Sequence, residues 1–392
     1  AVFGTLHMKT IYAEELLGAW NGARHAGGAF IYRGSYAQSK DSSLIASFSA
    51  LIRGAMQEKT AVVHRGDAES IPILVYHGIV DQPDGVNVTL DEFERQLFAL
   101  KREGYETISL SELHAFSRGE ISLSAKSFMT TFDDGRKDSY YPVDPLLRAF
   151  DYQAVMFVIT DTLLSESNYY LSVAELKGMA KSGYWEIEPH TKSGHGSVPT
   201  NSAGEEGTFL GNKRWIEEER RLETEKEFRE RIVRDLRGAH DDILKLVGVK
   251  PIGFAFPFSD FGQRPVNFSG ASAIVLPEAG RIYPLLFSQV IVADYTANMP
   301  DPEASWFMVK RVEVEADWSV ADLLRTLENG VIKSFPYKDM FAHNNGWRTT
   351  WGTVTVRDES LMLRATGETT GAAAFLDGTQ GWENYTISAN LK

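Results

Sequence analysis

The stretch Ile71–Ile79, IPILVYHGI, marks where the chain begins to read as the core of a folded domain. Its apolar, β-prone residues do not alternate with polar ones, which is typical of a strand buried on both faces. Such strands occur where helices cover a sheet or where a sheet closes into a barrel. The run therefore predicts the first core strand of an α/β unit.

Downstream of this strand, helical and strand patterns alternate. The helical patterns cover Thr89–Glu103, Pro145–Phe150, Ser172–Ser182, Trp215–Val247 and Val320–Glu328. The apolar strand patterns cover Ser127–Phe132, Ala154–Ile159, Trp185–Glu188, Phe254–Phe258, Ser288–Ala293 and Met308–Val314. Strands separated by helices predict a mainly parallel sheet, open or closed as a barrel.

The flanking regions differ in character from this unit, which we assign to residues 70–335. Residues 1–69 carry no chemical motif, and only two short helices are predicted there, around Ile11–Trp20 and Ser43–Ala55. Residues 336–392 read as an all-β, sandwich-like segment, with short strands predicted in GTVTV, SLMLRA, AAAFLDG and NYTISANL. Its tryptophans, Trp347, Trp351 and Trp382, are as compatible with a sandwich core as with a carbohydrate-binding surface.

Composition excludes several classes of function. Forty basic against 53 acidic residues give a formal charge of −13, which disfavours a nucleic-acid partner. No run reaches the roughly 18 apolar residues of a membrane span, and the opening AVFGTLHMKT lacks the pattern of a signal peptide. The charge run at 217–235, EEERRLETEKEFRERIVRD, is predicted to be a solvated helix face without function. Cysteine is absent, so a metal would be held by histidine and carboxylate.

Two short motifs carry the chemistry. TFDDG at 131–135 places two carboxylates at a predicted strand end, where ligand sites form in α/β sheets, although Asp-Asp-Gly is also a common turn. HTKSGH at 190–195 places two histidines in a loop after the strand WEIE, and these could be unrelated surface residues. Taken together, one Asp and two His supply a set for Zn²⁺ or a similar divalent ion, with positions open for water and a substrate carbonyl.

TFDDG, the H-x₄-H motif and FPF at 256–258 together resemble the polysaccharide deacetylases, the NodB-homology carbohydrate esterases. ILVYHG in the first strand is similar to the subset that deacetylates extracellular poly-N-acetylglucosamine. The resemblance implies a distorted (β/α) barrel and a hydrolase acting on amide bonds. It also implies that Asp134, His190 and His195 bind the metal, with Asp133 as the general base that acts on metal-activated water.

The resemblance implies further roles, and the sequence departs from the family at some of them. A backbone N–H after the family's conserved proline helps to hold the oxyanion, which would be Phe258 after Pro257. The usual late histidine is unclear, because only His343 follows the last barrel helix. His77 is therefore the preferred general acid, as in the poly-N-acetylglucosamine subset. The arginine that often precedes the proline is absent, and Asp317-Trp318 only loosely matches a later groove motif.

The hypothesis is thus a metal-dependent deacetylase of a polysaccharide that contains N-acetylglucosamine. The metal would be Zn²⁺, with Co²⁺, Ni²⁺ or Fe²⁺ as alternatives. Its place would be extracytoplasmic and bacterial, in the periplasm, at the cell surface or secreted. One alternative is a non-catalytic carbohydrate-binding or matrix protein that keeps the fold, and another is a deacetylase of peptidoglycan, chitin or acetylated xylan.

Overall fold

The structure, a computed structural model, describes residues 67–390 except 166, 291–294, 332, 334, 335, 343, 368–370, 380, 381 and 383. The two helices predicted before residue 66, and His343, lie outside the described residues. The strands are β1 (Ile73–Tyr76), β2 (Ile79–Val80), β3 (Val88–Thr89), β4 (Glu106–Thr107), β5 (Ser127–Phe132), β6 (Ala154–Val158), β7 (Trp185–Pro189), β8 (Ser197–Pro199), β9 (Glu206–Thr208), β10 (Trp215–Ile216), β11 (Arg221–Leu222), β12 (Gly253–Ala255), β13 (Leu285–Val290), β14 (Phe307–Glu313), β15 (Trp347–Trp351), β16 (Thr353–Arg357), β17 (Ser360–Arg364) and β18 (Ala373–Leu376). The helices are α1 (Leu90–Arg102), α2 (Leu110–Ser117), α3 (Asp144–Phe150), α4 (Val173–Ser182), α5 (Glu225–Asp242), α6 (Ser272–Gly280) and α7 (Val320–Asn329).

Seven parallel strands form a nearly closed barrel in the order β12-β13-β14-β1-β5-β6-β7, and β4 pairs with β5 at its side. Between β7 and β12 no ladder is formed, and side chains bridge this seam instead. The buried Glu188 carboxyl accepts hydrogen bonds from the backbone N–H groups of Gly253, at 2.8 Å, and Ile252, at 3.1 Å. The predicted (β/α) barrel is confirmed.

Strand alternation decides which residues face the barrel interior. On β5, Phe128 and Phe132 pack outward in the cluster under the surrounding helices, whereas Met129 belongs to the interior cluster. On β14, Val309 lies in the same interior cluster. Because side chains alternate between the two faces of a strand, the residues two and four positions after Met129 also point into the barrel. The second of these is Asp133, at the carboxyl end of β5.

Several helix boundaries follow from capping. α4 begins after Ser172, whose side chain forms a capping box with Glu175, as predicted. The predicted helix start at Trp215 is wrong, because residues 215–222 form the antiparallel pair β10–β11. α5 begins only at Glu225, where Thr224 and Glu227 form another capping box, and it ends in a π-helical turn at Ile243–Val247.

The charge run that includes the start of α5 is not wholly solvated. Arg231 is buried and its guanidinium pairs with Glu223, and Asp235 is buried as well. Burial of these groups contradicts the prediction of a plain solvated face. A buried carboxylate or guanidinium requires partners, and the partners of Asp235 lie in the loop that carries the candidate metal ligands.

The carboxyl-terminal segment contains only two-stranded antiparallel pairs among its described residues, β15 with β18 and β16 with β17. No strand forms at residues 384–390, so the strand predicted there is wrong. Trp347 donates to Asp339 and Trp382 donates to the Lys333 carbonyl, whereas Trp351 is 53% exposed. Arg348 ties the segment to the barrel through Thr326 of α7. The proposed domain limits at 69/70 and 335/336 stay predictions.

Candidate active site

The end of β5 carries the two adjacent carboxylates. Asp133 is 3% exposed on the interior face, and Asp134 follows in the left-handed backbone region with φ 71°. Gly135 also has a positive φ, 73°, and a Cβ there would lie 2.9 Å from Val158. The tight turn therefore needs glycine at this position, and it turns the Asp134 carboxylate away from the strand.

Asp134, His190 and His195 come together as the sequence predicted for a ligand set. One ligand atom from each lies within 4.8 Å of the others. His195 Nε2 lies 3.1 Å from Asp134 Oδ1, and His190 Nε2 lies 3.8 Å from the same oxygen. Ligands about 2.0–2.2 Å from a common Zn²⁺ are separated by similar distances, so the donor set fits such an ion.

His190, which follows β7, is oriented by a hydrogen bond to β12 across the barrel seam. Its Nδ1 is 2.8 Å from the Ala255 carbonyl oxygen, so this nitrogen carries the proton and Nε2 is left as a lone-pair donor. Burial lowers the pKa of His190 below its ordinary value, against the opposing charges of Asp133 and Asp134. The neutral imidazole is the form that binds a metal, so both the tautomer and the charge state suit the ligand role.

The Asp133 carboxylate is held by Arg311, a residue that sequence reasoning missed. Arg311 is fully buried, and its Nη1 and Nη2 donate to Asp133 Oδ1 at 2.7 Å and Oδ2 at 2.8 Å. Burial alone would raise the pKa of Asp133, but the charge and hydrogen bonds of Arg311, together with the charge of His77, hold it well below its usual range. Asp133 is thus an ionised carboxylate fixed in one orientation.

His77 lies beside this pair because of strand register. Tyr76 is level with Phe132 across the β1–β5 ladder, so the next residues of each strand, His77 and Asp133, are neighbours. His77 Nδ1 lies 3.1 Å from Glu313 Oε1. Burial lowers the pKa of His77, but the hydrogen bond to Glu313 and the charges of Asp133, Glu313 and Asp134 outweigh it and raise the pKa above 6.5.

Glu313 is itself held in place from the neighbouring strand. The Gln289 side chain donates to Glu313 Oε2, and the Gln289 backbone N–H donates to Ser259 Oγ at 2.6 Å. Neither Glu313 nor Gln289 was identified from the sequence. The available signal was charge in a buried strand, because Arg311 and Glu313 interrupt the apolar residues of β14.

The remaining predicted residues differ in exposure. Phe258 is 61% exposed in a left-handed conformation with φ 55°, and its ring centroid lies 4.8 Å from that of His195. Pro257, before it, is buried in the short 3₁₀ turn Pro257–Ser259. Trp318 is 9% exposed and packs in the main core, where its carbonyl accepts from Gln96. Trp318 therefore offers little surface to a substrate.

Comparison with known proteins agrees with this fold. Residues 121–270 match the family model described as polysaccharide deacetylase, which confirms the resemblance over this part of the chain. A de-N-acetylase structure from Aggregatibacter actinomycetemcomitans aligns with a TM-score of 0.55 at 21% identity, over 66% of this chain and 99% of that chain. That likeness establishes the barrel fold.

Two curated relatives share a narrower name. The poly-beta-1,6-N-acetyl-D-glucosamine N-deacetylase of Escherichia coli strain K12 is 26% identical over 201 residues, which are 47% of this chain and 30% of that protein. The protein of the same name from Staphylococcus aureus strain MRSA252 is 30% identical over 122 residues, 30% of this chain and 41% of that protein. The chain thus spans less than half the length of these relatives.

None of the helices in the described part of the chain is both long and apolar enough to cross a membrane.

Proposed function

We propose that this protein is a metal-dependent N-deacetylase of a polysaccharide that contains N-acetylglucosamine. The observation that carries the proposal is the meeting of three potential ligands, Asp134, His190 and His195, next to the ionised Asp133 carboxylate. A ligand set with open positions beside a fixed base and a histidine acid is what hydrolysis of an amide requires. The names of the curated relatives support the choice of an N-acetylated sugar polymer.

Asp133 is the proposed general base. A divalent cation bound by Asp134, His190 and His195 would supply a water of lowered pKa and a positive charge beside the acetamide oxygen. The low pKa of Asp133 keeps its carboxylate ionised near neutral pH, so it has no proton of its own and can take one from the attacking water, whose own pKa the cation would lower. Arg311 fixes the direction from which that proton is taken.

His77 is the proposed general acid. The C–N bond breaks when the sugar nitrogen gains a proton, because an amine leaves far more readily than an amide anion. His77 has its pKa raised by the partner carboxylate Glu313, so it retains a proton near neutral pH. Acetate and the free amino sugar are the products. The backbone N–H of Phe258 is the proposed donor to the oxyanion.

The substrate, the ion and the location are finer parts of the proposal. The two histidines and one carboxylate suit Zn²⁺, and Co²⁺, Ni²⁺ and Fe²⁺ are alternatives with the same ligand types. The preferred substrate is poly-β-1,6-N-acetylglucosamine, which places the protein outside the bacterial cytoplasm. Peptidoglycan, chitin and acetylated xylan are the alternative substrates, since groove loops rather than the ligand set determine the polymer.

The experiment is acetate release from β-1,6-linked and β-1,4-linked N-acetylglucosamine oligomers, with and without a chelator. We expect release that the chelator abolishes and that added Zn²⁺ restores. Acetylated xylan oligomers serve as the ester control. If neither linkage gives metal-dependent release of acetate, the proposal is wrong.

The alternative of a non-catalytic carbohydrate-binding protein rested on the missing groove arginine and the unclear late histidine. In this chain Arg311, on another strand, pairs with Asp133 and can replace the missing arginine. His77 pairs with Glu313 and can replace the late histidine. A buried arginine and carboxylate are costly to retain in a protein that only binds sugar. These contacts favour the enzyme over the binding protein.

A further inference from the structure

The loop at 191–195, which joins the two candidate histidine ligands, has a strained backbone. Thr191, directly after His190, is fully buried with φ 84°, a conformation that a β-branched residue rarely adopts. Such strain persists only where the surrounding structure determines the backbone conformation.

On one side, the loop is bound by the backbone that follows β6. The Thr160 N–H donates to the Thr191 carbonyl and the Asp161 N–H donates to the Lys192 carbonyl, both at 3.1 Å. These two bonds fix the carbonyl groups of the loop. They leave its N–H groups to be satisfied from the opposite side.

On the other side, α5 supplies a carboxylate to those N–H groups. Asp235, 4% exposed, accepts from the Lys192 N–H with Oδ1 at 3.1 Å and from the Ser193 N–H with Oδ2 at 2.8 Å. The Ser193 hydroxyl reaches the same Oδ2 at 3.2 Å. No lysine, arginine or histidine pairs with Asp235 in the part of the chain that the structure describes, so its partners belong to the loop.

A second carboxylate of α5 holds the loop through a side chain. Lys192 Nζ lies 2.5 Å from Asp242 Oδ2, two helical turns beyond Asp235. The stem of Lys192 crosses the helix over Gly238, where a Cβ would lie 2.7 Å from Lys192 Cδ. Asp235, Gly238 and Asp242 thus form one stripe of α5 that is shaped to receive Lys192.

The close fit extends to the residue before His195. A Cβ on Gly194 would lie 2.9 Å from Phe209 and 3.1 Å from Asp235 Oδ1. Gly194 is therefore required for space. Asp235 contacts the loop at Lys192, Ser193 and Gly194, all of them between the two histidines.

We propose that Asp235 and Asp242 are positioning residues that hold the 191–195 loop in its binding conformation. The His190 and His195 nitrogens would then already face the metal position before the ion binds. The inference rests on the proposed function, since it assigns these contacts to the same ligand set. Burial of Asp235 is costly, and a loop needed only for folding could be held without a buried charge.

The experiment measures Zn²⁺ and Co²⁺ binding to the metal-free protein and to Asp235→Asn. The variant keeps the shape but turns an amide NH₂ toward one of the two backbone donors. We expect Zn²⁺ binding about 10- to 100-fold weaker, the usual effect of losing a partner outside the ligand set. The visible absorption of the Co²⁺ complex should change, and amide hydrogen exchange in the loop should rise by about tenfold or more in the metal-free protein.

Asp241→Asn is the matched control, because Asp241 lies on the same helix and its exposed carboxylate pairs with His240 and Lys245 rather than with the loop. It should leave all three measurements unchanged. An Asp235→Asn protein that is less stable but has wild-type metal affinity, Co²⁺ spectrum and loop exchange would overturn the inference. If that variant does not fold, Lys192→Met decides, because it removes the ion pairs of a partly exposed side chain with Asp242 and Asp161. Unchanged Zn²⁺ affinity in Lys192→Met then overturns the inference.

The test separates this inference from the proposed function. If the wild-type protein binds no metal, the proposed function fails at that step. Amide hydrogen exchange of the 191–195 loop in the metal-free protein still measures how firmly α5 holds the loop. Unchanged exchange in Asp235→Asn would then overturn the inference by itself.

Discussion

The two halves of the candidate site are held in different ways. The proton half, Asp133, His77, Arg311 and Glu313, consists of side chains at the ends of adjacent strands, and strand register brings them together. The metal half, Asp134, His190 and His195, lies in turns that follow the strands, and the backbone has a positive φ at Asp134 and Thr191. These turns are held by Ala255 across the seam and by Asp235 of α5. The sheet thus fixes one half directly, whereas the other depends on α5 and the barrel seam.

Replacing Asp133 should show the largest difference between the two halves, because activity should fall while metal binding persists. We expect Asp133→Asn to lower kcat by about 10²- to 10⁴-fold, the usual contribution of a general base, while Zn²⁺ affinity changes little. The variant also leaves the buried Arg311 charge without its carboxylate, which should cost about 3–5 kcal/mol of stability. Steady-state kinetics, metal titration and urea unfolding measure the three effects.

The double variant Asp133→Asn with Arg311→Met is the control for misfolding. It removes both buried charges, so stability should recover while activity stays low. Recovery of activity together with stability would show that Asp133 acts only through the fold.

Replacing His195 tests the metal half. His195→Ala should weaken Zn²⁺ binding by more than about 100-fold, above the range for groups that only orient ligands, and activity should fall with it. Since the side chain is 27% exposed, the metal-free protein should unfold near the wild-type midpoint. His114→Ala, on α2, is the matched control and should leave Zn²⁺ titrations unchanged. Wild-type affinity in His195→Ala would remove this residue from the ligand set.

A smaller effect is expected from Glu313, which acts through His77. The hydrogen bond to Glu313 raises the pKa of His77, so Glu313→Gln should lower that pKa. Because the acid must be protonated, the alkaline limb of the kcat/KM profile should move to lower pH. The exposed Glu303→Gln is the control. An unmoved alkaline limb in Glu313→Gln would argue against His77 as the acid.

The smallest effect concerns stability at the seam. Burial raises the pKa of Glu188 well above its ordinary value, so the folded protein holds a proton that the unfolded chain releases. Stability should therefore fall as pH rises above the unfolded pKa of about 4.3. Glu188→Gln keeps an acceptor for Gly253 and should lessen this loss. Urea unfolding at pH 5 and pH 8 tests it, and an equal pH dependence in both proteins would refute it.

The sequence predicted the barrel better than it predicted the contacts of the site. Ser127–Phe132 was predicted to the residue, because a buried run of β-prone residues without charges leaves a local signal. The start of α5 was missed, since the charges after Trp215 resemble a helix until the Thr224 cap is considered. Arg311 was missed because its partner lies 178 residues away, and Asp235 because a buried charge resembles a surface charge in sequence.

The seam between β7 and β12 links the chemistry of the protein to its resistance to unfolding. His190 donates its ring N–H to Ala255 across that seam, and the other nitrogen of the same ring faces Asp134 and is a proposed metal ligand. A ligand that binds only the folded state stabilises it by mass action. The proposed ion would therefore hold the barrel closed at the edge that lacks a β-ladder, so the concentration of free metal would also determine the stability of the folded protein.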